Sequence, residues 1–242
     1  MSIGGIKFYN VSGNTGTSSI YLSTNNYLQT NQIITSQIGF NAGLTGQATG
    51  AVAFGYQAGE SNQSAGAVAF GYQAGQISQG TGSVAIGYLA GKTNESANAV
   101  AIGNMAGQTS QGTGSVAIGY LAGQTNESAN AVSIGNMAGQ TSQGTGAVAI
   151  GYLAGQTNQG TNSIAVGNLA GPTGMKANSI ALNASGLPLH ATGPTGGFYV
   201  NPIADYTNSL TIGNTGYFKL MMYGKDNQVV NIDPNDFIDW RR

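Results

Sequence analysis

Few side chains in this chain could do bond-making chemistry, and they are far apart. The sequence ahead of Asp205 contains no aspartate, one histidine (His190) and three glutamates, Glu60, Glu95 and Glu127. Glu95 and Glu127 occupy the same place in two copies of a repeated segment, TNESAN, with one further repeat between them. If the repeats stack as strands do, this puts them about 10 Å apart, near the separation of the paired carboxylates of inverting glycosidases. They stand in a duplicated polar segment, however, and no cleft is implied. Asp233, Asp236 and Asp239 in the tail DPNDFID could hold a divalent cation, but their spacing is not that of an EF-hand loop, and a solvated terminus is the simpler reading. His190, in LPLHATG, has no Cys, Asp or Glu beside it, which favours a loop or core role. Without cysteine there is no thiolate, disulfide or Cys nucleophile. No catalytic residue, metal or cofactor is assigned, and no enzyme is expected.

What positions these residues is a 16-residue repeat that runs without insertion or deletion. Its hydrophobic marker falls at Val52, Val68, Val84, Val100, Val116, Val132, Val148, Ile164 and Ile180, and a partial copy, TSQIGFNAG, starts at Thr35. A strict period means identical units stacked in space. Taking Ala51 as column 1, column 2 is Val or Ile, column 3 is Ala or once Ser (Ser133), and column 4 is Phe, Ile, Val or Leu, a short strand with period-two alternation. Column 5 is Gly, columns 8 and 9 are Ala-Gly, and column 16 is Gly or Asn, the two residues that best tolerate a left-handed corner. One repeat at about 3.3 Å per residue traces a loop of roughly 50 Å, enough for two short strands and two turns. Recurrent Gly argues against helix. The expected fold is therefore all-β, a parallel β-roll or β-solenoid of 16-residue coils spaced about 4.8 Å apart.

The Val and Ile ladders are expected to fill the inside of the coil: Val84, Ile86, Val100, Ile102, Val116, Ile118, Val132, Ile134, Val148 and Ile150. A second period, twice the first, alternates Tyr88, Tyr120 and Tyr152 with Asn104, Asn136 and Asn168 in column 6. Column 7 runs Leu89, Met105, Leu121, Met137, Leu153 and Leu169. Duplication of a two-coil unit explains this pattern. Alternatively, these Tyr, Leu and Met residues form a seam against another subunit, since a thin coil cannot hide every apolar column. A Thr column (Thr93, Thr109, Thr125, Thr141, Thr157, Thr173) could present a flat hydroxyl ladder to ice or carbohydrate, although cross-coil ladders for stability account for it. Asn62, Asn94 and Asn126 lie in N-x-S sequons.

Seven basic and eight acidic residues leave a net charge of -1, which excludes an electrostatic nucleic-acid binder. The first Asp is Asp205, so a calcium-binding nonapeptide roll is excluded too. MSIGGIKFYNVSG shows no signal-peptide pattern and no stretch reaches membrane-span length, so synthesis in a cytoplasm without membrane insertion is expected. Three parts follow. Residues 1–34, with GIKFYNVS and SIYLSTNNYL, would be strands that cap or attach the array. Residues 35–186 would be the roll, and residues 187–242 a small β-rich knob with a hairpin turning at Gly224-Lys225-Asp226-Asn227.

SVAIGYLAG and NAVAIGNMAG resemble the repeat in the heads of trimeric autotransporter adhesins, a left-handed parallel β-roll. That match covers residues 35–184. The adhesin coil is usually a little shorter, and the coiled-coil stalk and membrane anchor of those proteins have no counterpart in this sequence. A closer resemblance is to phage and large DNA-virus tail-fibre or virion-fibre proteins. In these, AIGYxAG arrays end in an IALNASG-like coil, a GPTG stretch and a GGFYVNPI segment, here Ile180–Gly186, Gly193–Gly196 and Gly196–Ile203. An endosialidase-type chaperone domain often follows in that family; the sequence reaches Arg242 without one. The resemblance implies left-handed coils, a homotrimer with the Tyr, Leu and Met seam at its interface, location in the virion, and a capsid or fibre-base partner. It also implies a host surface glycan or receptor touched by the knob or the flank of the roll. A structural capsid component with no host ligand and a bacterial adhesin head are the alternatives, the latter disfavoured by the lack of a signal peptide.

Overall fold

A computed structural model describes residues 36–193, 196–201, 220–223 and 229–232. The expected cap strands in residues 1–34 and the hairpin turn at 224–227 lie outside the described residues. The described part is all-β. The chain separates into two compact units, Met1–Pro202 and Ile203–Arg242. In the second unit Leu220–Tyr223 and Val229–Ile232 pair antiparallel, with Tyr223 opposite Val229, as the hairpin pattern predicts.

The first unit is a parallel β-solenoid. Each coil contributes a strand from columns 2 to 4, such as Val84–Ile86, to an eleven-stranded parallel sheet that runs from Ser36–Ile38 to Phe198–Asn201. Most coils contribute a second strand from columns 11 to 13, such as Thr93–Glu95, to a seven-stranded sheet. Every repeat pairs with its copies in the coils before and after, for instance Val116 with Val100 and with Val132. The main sheet does not end with the repeat array. Phe198–Asn201 pairs with Ile180–Asn183, so the GGFYVNPI segment, expected at the head of the knob, supplies one more strand to the roll. Ten steps at about 4.8 Å make this sheet on the order of 50 Å long.

The corners use the backbone conformations that the columns suggest. Column 16 is left-handed throughout, with φ of 66° at Gly82 and 58° at Asn98. The column 5 and column 9 glycines answer to space as well as to φ. A Cβ on Gly103 would lie 2.5 Å from the carbonyl oxygen of Gly119 in the next coil. One on Gly75 would meet the Gln79 side chain at 2.5 Å. The first clash is between coils; the second shows that the lumen is already full.

What fills the lumen corrects the expectation for the core. Val84, Val100, Ile102, Val116, Ile118, Val132, Ile134 and Val148 are only half-buried, and Ile86 and Ile150 are exposed. The side chains that are fully buried are the small ones between and around them: Ala85, Ala99, Ala101, Ala106, Ala117 and their equivalents. Alternation along the strand sends column 3 inward and columns 2 and 4 outward. The reason is width. A coil closed by so short a repeat, with the two sheets joined by tight glycine turns, leaves room for methyl groups from the first sheet and one longer side chain from the second. That longer side chain is polar: Gln63, Gln79, Glu95, Gln111, Glu127, Gln143 and Gln159, all in column 13, are buried.

Candidate functional site

Three parts of the roll carry the candidate residues: its two outer faces and its lumen. The first is the outer face of the eleven-stranded sheet. Column 2 and column 4 side chains stand on it as two parallel apolar ladders, ending in exposed Phe54, Phe70, Ile86, Ile150, Ile164, Ile180 and Leu182. Phe54 stacks on Phe70 at 4.7 Å between ring centroids. A continuous apolar strip of this kind is uncommon on a soluble monomer.

Column 6 forms its border. Phe40, Tyr56, Tyr72 and Tyr88 form a continuous stack, with neighbouring centroids 5.1 to 5.5 Å apart. Beyond Tyr88 the column alternates, and Tyr120 and Tyr152 stand half out in solvent between the exposed Asn104, Asn136 and Asn168. The column 7 residues behave differently. Leu89, Met105, Met137, Leu153 and Leu169 are half-buried and Leu121 is buried at 8 % exposure. All six adopt φ of 54° or 55°, a left-handed backbone that is uncommon for such side chains. Their neighbours along the stack hold them there: Met105 N–H donates to the Tyr88 carbonyl at 2.8 Å and Met137 N–H to that of Tyr120 at 2.8 Å. By sequence, columns 6 and 7 belong to one seam. In the folded coil the tyrosines are available to a partner, whereas the Leu and Met side chains are mostly taken up by the coil itself.

The second surface is the outer face of the seven-stranded sheet. Thr93, Thr109, Thr125, Thr141 and Thr157 form the expected ladder, half-buried, and Thr125 pairs with Thr109 and Thr141. Beside it runs an amide ladder in column 10, in which Gln124, Gln140 and Gln156 each donate to the glutamine one coil before, at 3.0 to 3.1 Å. The sequon residues Asn62, Asn94 and Asn126 are exposed, with φ of 55° to 58°. Their left-handed backbone breaks the strand alternation, which lets column 13 turn into the lumen while Thr stays outside.

The third is the lumen. Gln63 Nε2 donates to the Val52 carbonyl at 2.8 Å and to Gln79 Oε1 at 3.1 Å, and Gln111 Nε2 donates to the Val100 carbonyl at 2.9 Å and to Glu127 Oε2 at 3.1 Å. Ser133 Oγ, itself a column 3 residue, donates to Glu127 Oε1 at 2.7 Å. Neither Glu95 oxygen accepts a well-formed hydrogen bond, although Gln79 and Ser83 lie close enough to draw its pKa down. Burial dominates and pushes both carboxyls up to about 8, which favours the neutral acid at pH 7. A buried neutral Glu is nearly isosteric with Gln, which is why the two share this column. The glycosidase-like spacing of Glu95 and Glu127 therefore leads to no catalytic site: both point into a filled lumen rather than across a cleft.

Sequence reasoning misses this ladder, although a signal for it exists. Column 13 is Gln or Glu in eight successive coils from Gln47 to Gln159, while after the first of these column 12 switches between Asn and Ser and column 14 between Ser and Gly, and it ends on the apolar Met175. A solvated turn position has no reason to exclude Ser, Thr, Asn and Lys. At the far end of the array His190 is exposed, with its Nδ1 3.3 Å from Thr173 Oγ1. Asp233, Asp236 and Asp239 lie outside the described residues. Among the described residues no three His, Cys, Asp or Glu side chains gather in a way that could hold a metal ion. No family model, curated protein or solved structure matches this chain.

Proposed function

We propose that this chain is a structural fibre or spike segment of a virus particle, built as a homotrimer, with the roll acting as a rigid spacer that presents its C-terminal knob or its flank to a host surface. One observation supports self-association: the outer face of the eleven-stranded sheet is an uncovered apolar strip along the length of the roll, bordered by exposed Tyr120 and Tyr152; the number three rests on the resemblance of the repeat. Burial of that strip against two further copies removes it from water at about 25 cal/mol per Å² of apolar area. Closed rotational symmetry leaves no strip exposed, which an open lateral array would not achieve. A capsid or fibre-base protein is the partner at one end, and a surface glycan or receptor the ligand at the other. The viral setting rests on the AIGYxAG array with its IALNASG and FYVNPI terminators; the fold is compatible with it and with other structural roles.

The test is the mass of the purified chain by light scattering. Three times the 24.4 kDa chain mass, surviving dilution, supports the fibre reading; a stable 24.4 kDa species removes the trimer and leaves only the solenoid. The second reading, a capsid component with no host ligand, draws on the uniformity of the outer polar columns, which repeat along the rod as in a spacer. A glycan array separates the two, since folded protein that binds no glycan favours the spacer.

A further inference from the structure

We propose that Glu95 and Glu127 each donate a carboxylic acid proton to the glutamine oxygen one coil further along, completing the internal ladder, and that loss of these protons opens the roll at those rungs. The ladder has a direction. Gln47 Nε2 donates to Gln63 Oε1 at 3.0 Å, Gln63 to Gln79 at 3.1 Å, Gln111 to Glu127 at 3.1 Å and Gln143 to Gln159 at 2.9 Å. In each case the N–H comes from the earlier coil and the oxygen from the later one. Glu95 and Glu127 have no N–H to pass on. The amide oxygens that follow them are the two in the ladder left without a partner: Gln111 Oε1 and Gln143 Oε1 are buried and accept nothing from any amide. These are also their register partners in the sheet, Glu95 with Gln111 and Glu127 with Gln143. The amide of Gln111 cannot be turned around to escape this, because its Nε2 already donates to the Val100 carbonyl at 2.9 Å. A carboxylic O–H is the donor the column can supply, whereas a carboxylate would aim a charge at a carbonyl oxygen.

The surroundings supply hydrogen-bond donors but no counter-charge. The groups acting on Glu95 are Gln79 and Ser83, and those acting on Glu127 are Ser133, Gln111 and Ser115; no charged side chain contributes to either. Each carboxyl is separated from the other by the intervening Gln111 rung. Burial raises both pKa values from 4.5 to about 8. The direction follows by linkage. A carboxyl with a raised folded-state pKa contributes stability that is complete below 4.5, declines as pH rises, and is gone above about 8. Over that window the unfolding constant rises about tenfold per pH unit for each carboxyl in the cooperative unit. This inference is independent of the viral reading and of the oligomeric state.

Two measurements on the full chain test it. The first is the infrared spectrum in D2O at pH 7, where protonated carboxyls absorb apart from carboxylates. A protonated-carboxyl band is expected in the unaltered protein, unchanged in Glu60→Gln and absent from the Glu95→Gln/Glu127→Gln double variant. No such band in the unaltered protein overturns the proposal without need of any variant. The second is urea unfolding from pH 5 to 9. The unaltered chain is expected to lose stability steadily, while the double variant, whose amides carry a permanent N–H, has a flat profile. Equal pH slopes for the two proteins also overturn it.

Discussion

The two sheets of each coil invert the usual division between inside and outside. The eleven-stranded sheet puts Val, Ile and Phe on its outer face and Ala in the lumen; the seven-stranded sheet puts Thr, Asn and Ser outside and Gln or Glu in the lumen. The first is apolar on its exposed side, and the second is polar on both, Ile77 excepted. A lumen this narrow has too little apolar surface to drive folding by itself. Cohesion along the roll comes instead from backbone hydrogen bonds between coils, such as Val84 N–H to the Ala99 carbonyl at 2.9 Å, and from the internal amide ladder. The apolar capacity of the first sheet is left over for contacts with something else.

The contrast is sharpest where the second sheet's inward column titrates and the first sheet's does not. The largest effect expected is thus on pH. Each buried carboxyl contributes at most roughly 5 kcal/mol to stability at low pH that is absent above about 8, from a rise of 4.5 to about 8. Urea midpoints should fall between pH 5 and 9. A double Gln variant that remained as pH-sensitive as the unaltered protein would place the titrating groups outside the lumen.

Next in size is a swap of volumes across the first sheet. Ala117→Leu puts three extra carbons into a lumen with no free space and is expected to cost about 3 kcal/mol or more. Val116→Ala, the adjacent residue on the outer face, is expected to cost about 1 kcal/mol in the separate chain. Urea unfolding compares them, and equal losses would mean that the two faces have been assigned the wrong way round.

That assignment was the part of the fold least legible in the sequence. The 16-residue period, the strand at columns 2 to 4, the parallel register and the left-handed corner at Gly82 and Asn98 could all be read, because each depends on chain geometry that repeats column by column. Alternation shows that two faces differ, but not which one is inside. Hydrophobicity favours Val116 and Ile118 for the interior over Ala117; the narrowness of the coil reverses that choice. For the same reason Glu95 and Glu127 read only as members of a duplicated polar segment. Their burial depends on Asn94 and Asn126 being left-handed, with φ of 55°, and thus on a break in alternation that period-two reasoning does not foresee.

A smaller effect separates the outer faces. Ile118→Lys charges the apolar strip and Thr125→Lys charges the Thr ladder, both at half-buried positions. If copies of the chain meet through the first sheet, Ile118→Lys weakens association at least tenfold, about 1.4 kcal/mol, and Thr125→Lys leaves it unchanged. Light scattering across a dilution series reads both. Equal weakening by the two variants would spread the interface around the roll.

The smallest expected change carries the most information about the two-coil period. Tyr120 is half-exposed, and the coils immediately before and after it carry Asn104 and Asn136 at the same position. Tyr120→Asn therefore installs a side chain that this backbone already accommodates twice nearby, and the stability of the separate chain should change by no more than about 0.5 kcal/mol. The lost ring has no stacking neighbour to miss: the continuous aromatic stack ends at Tyr88. Duplication of a two-coil unit and a functional seam thus make the same prediction for folding and opposite ones for assembly. If the alternation is only an imprint of duplication, association is as insensitive as folding. If the tyrosines between Asn104 and Asn168 meet a partner, the same substitution lowers the assembled fraction on dilution while the urea midpoint stays where it was.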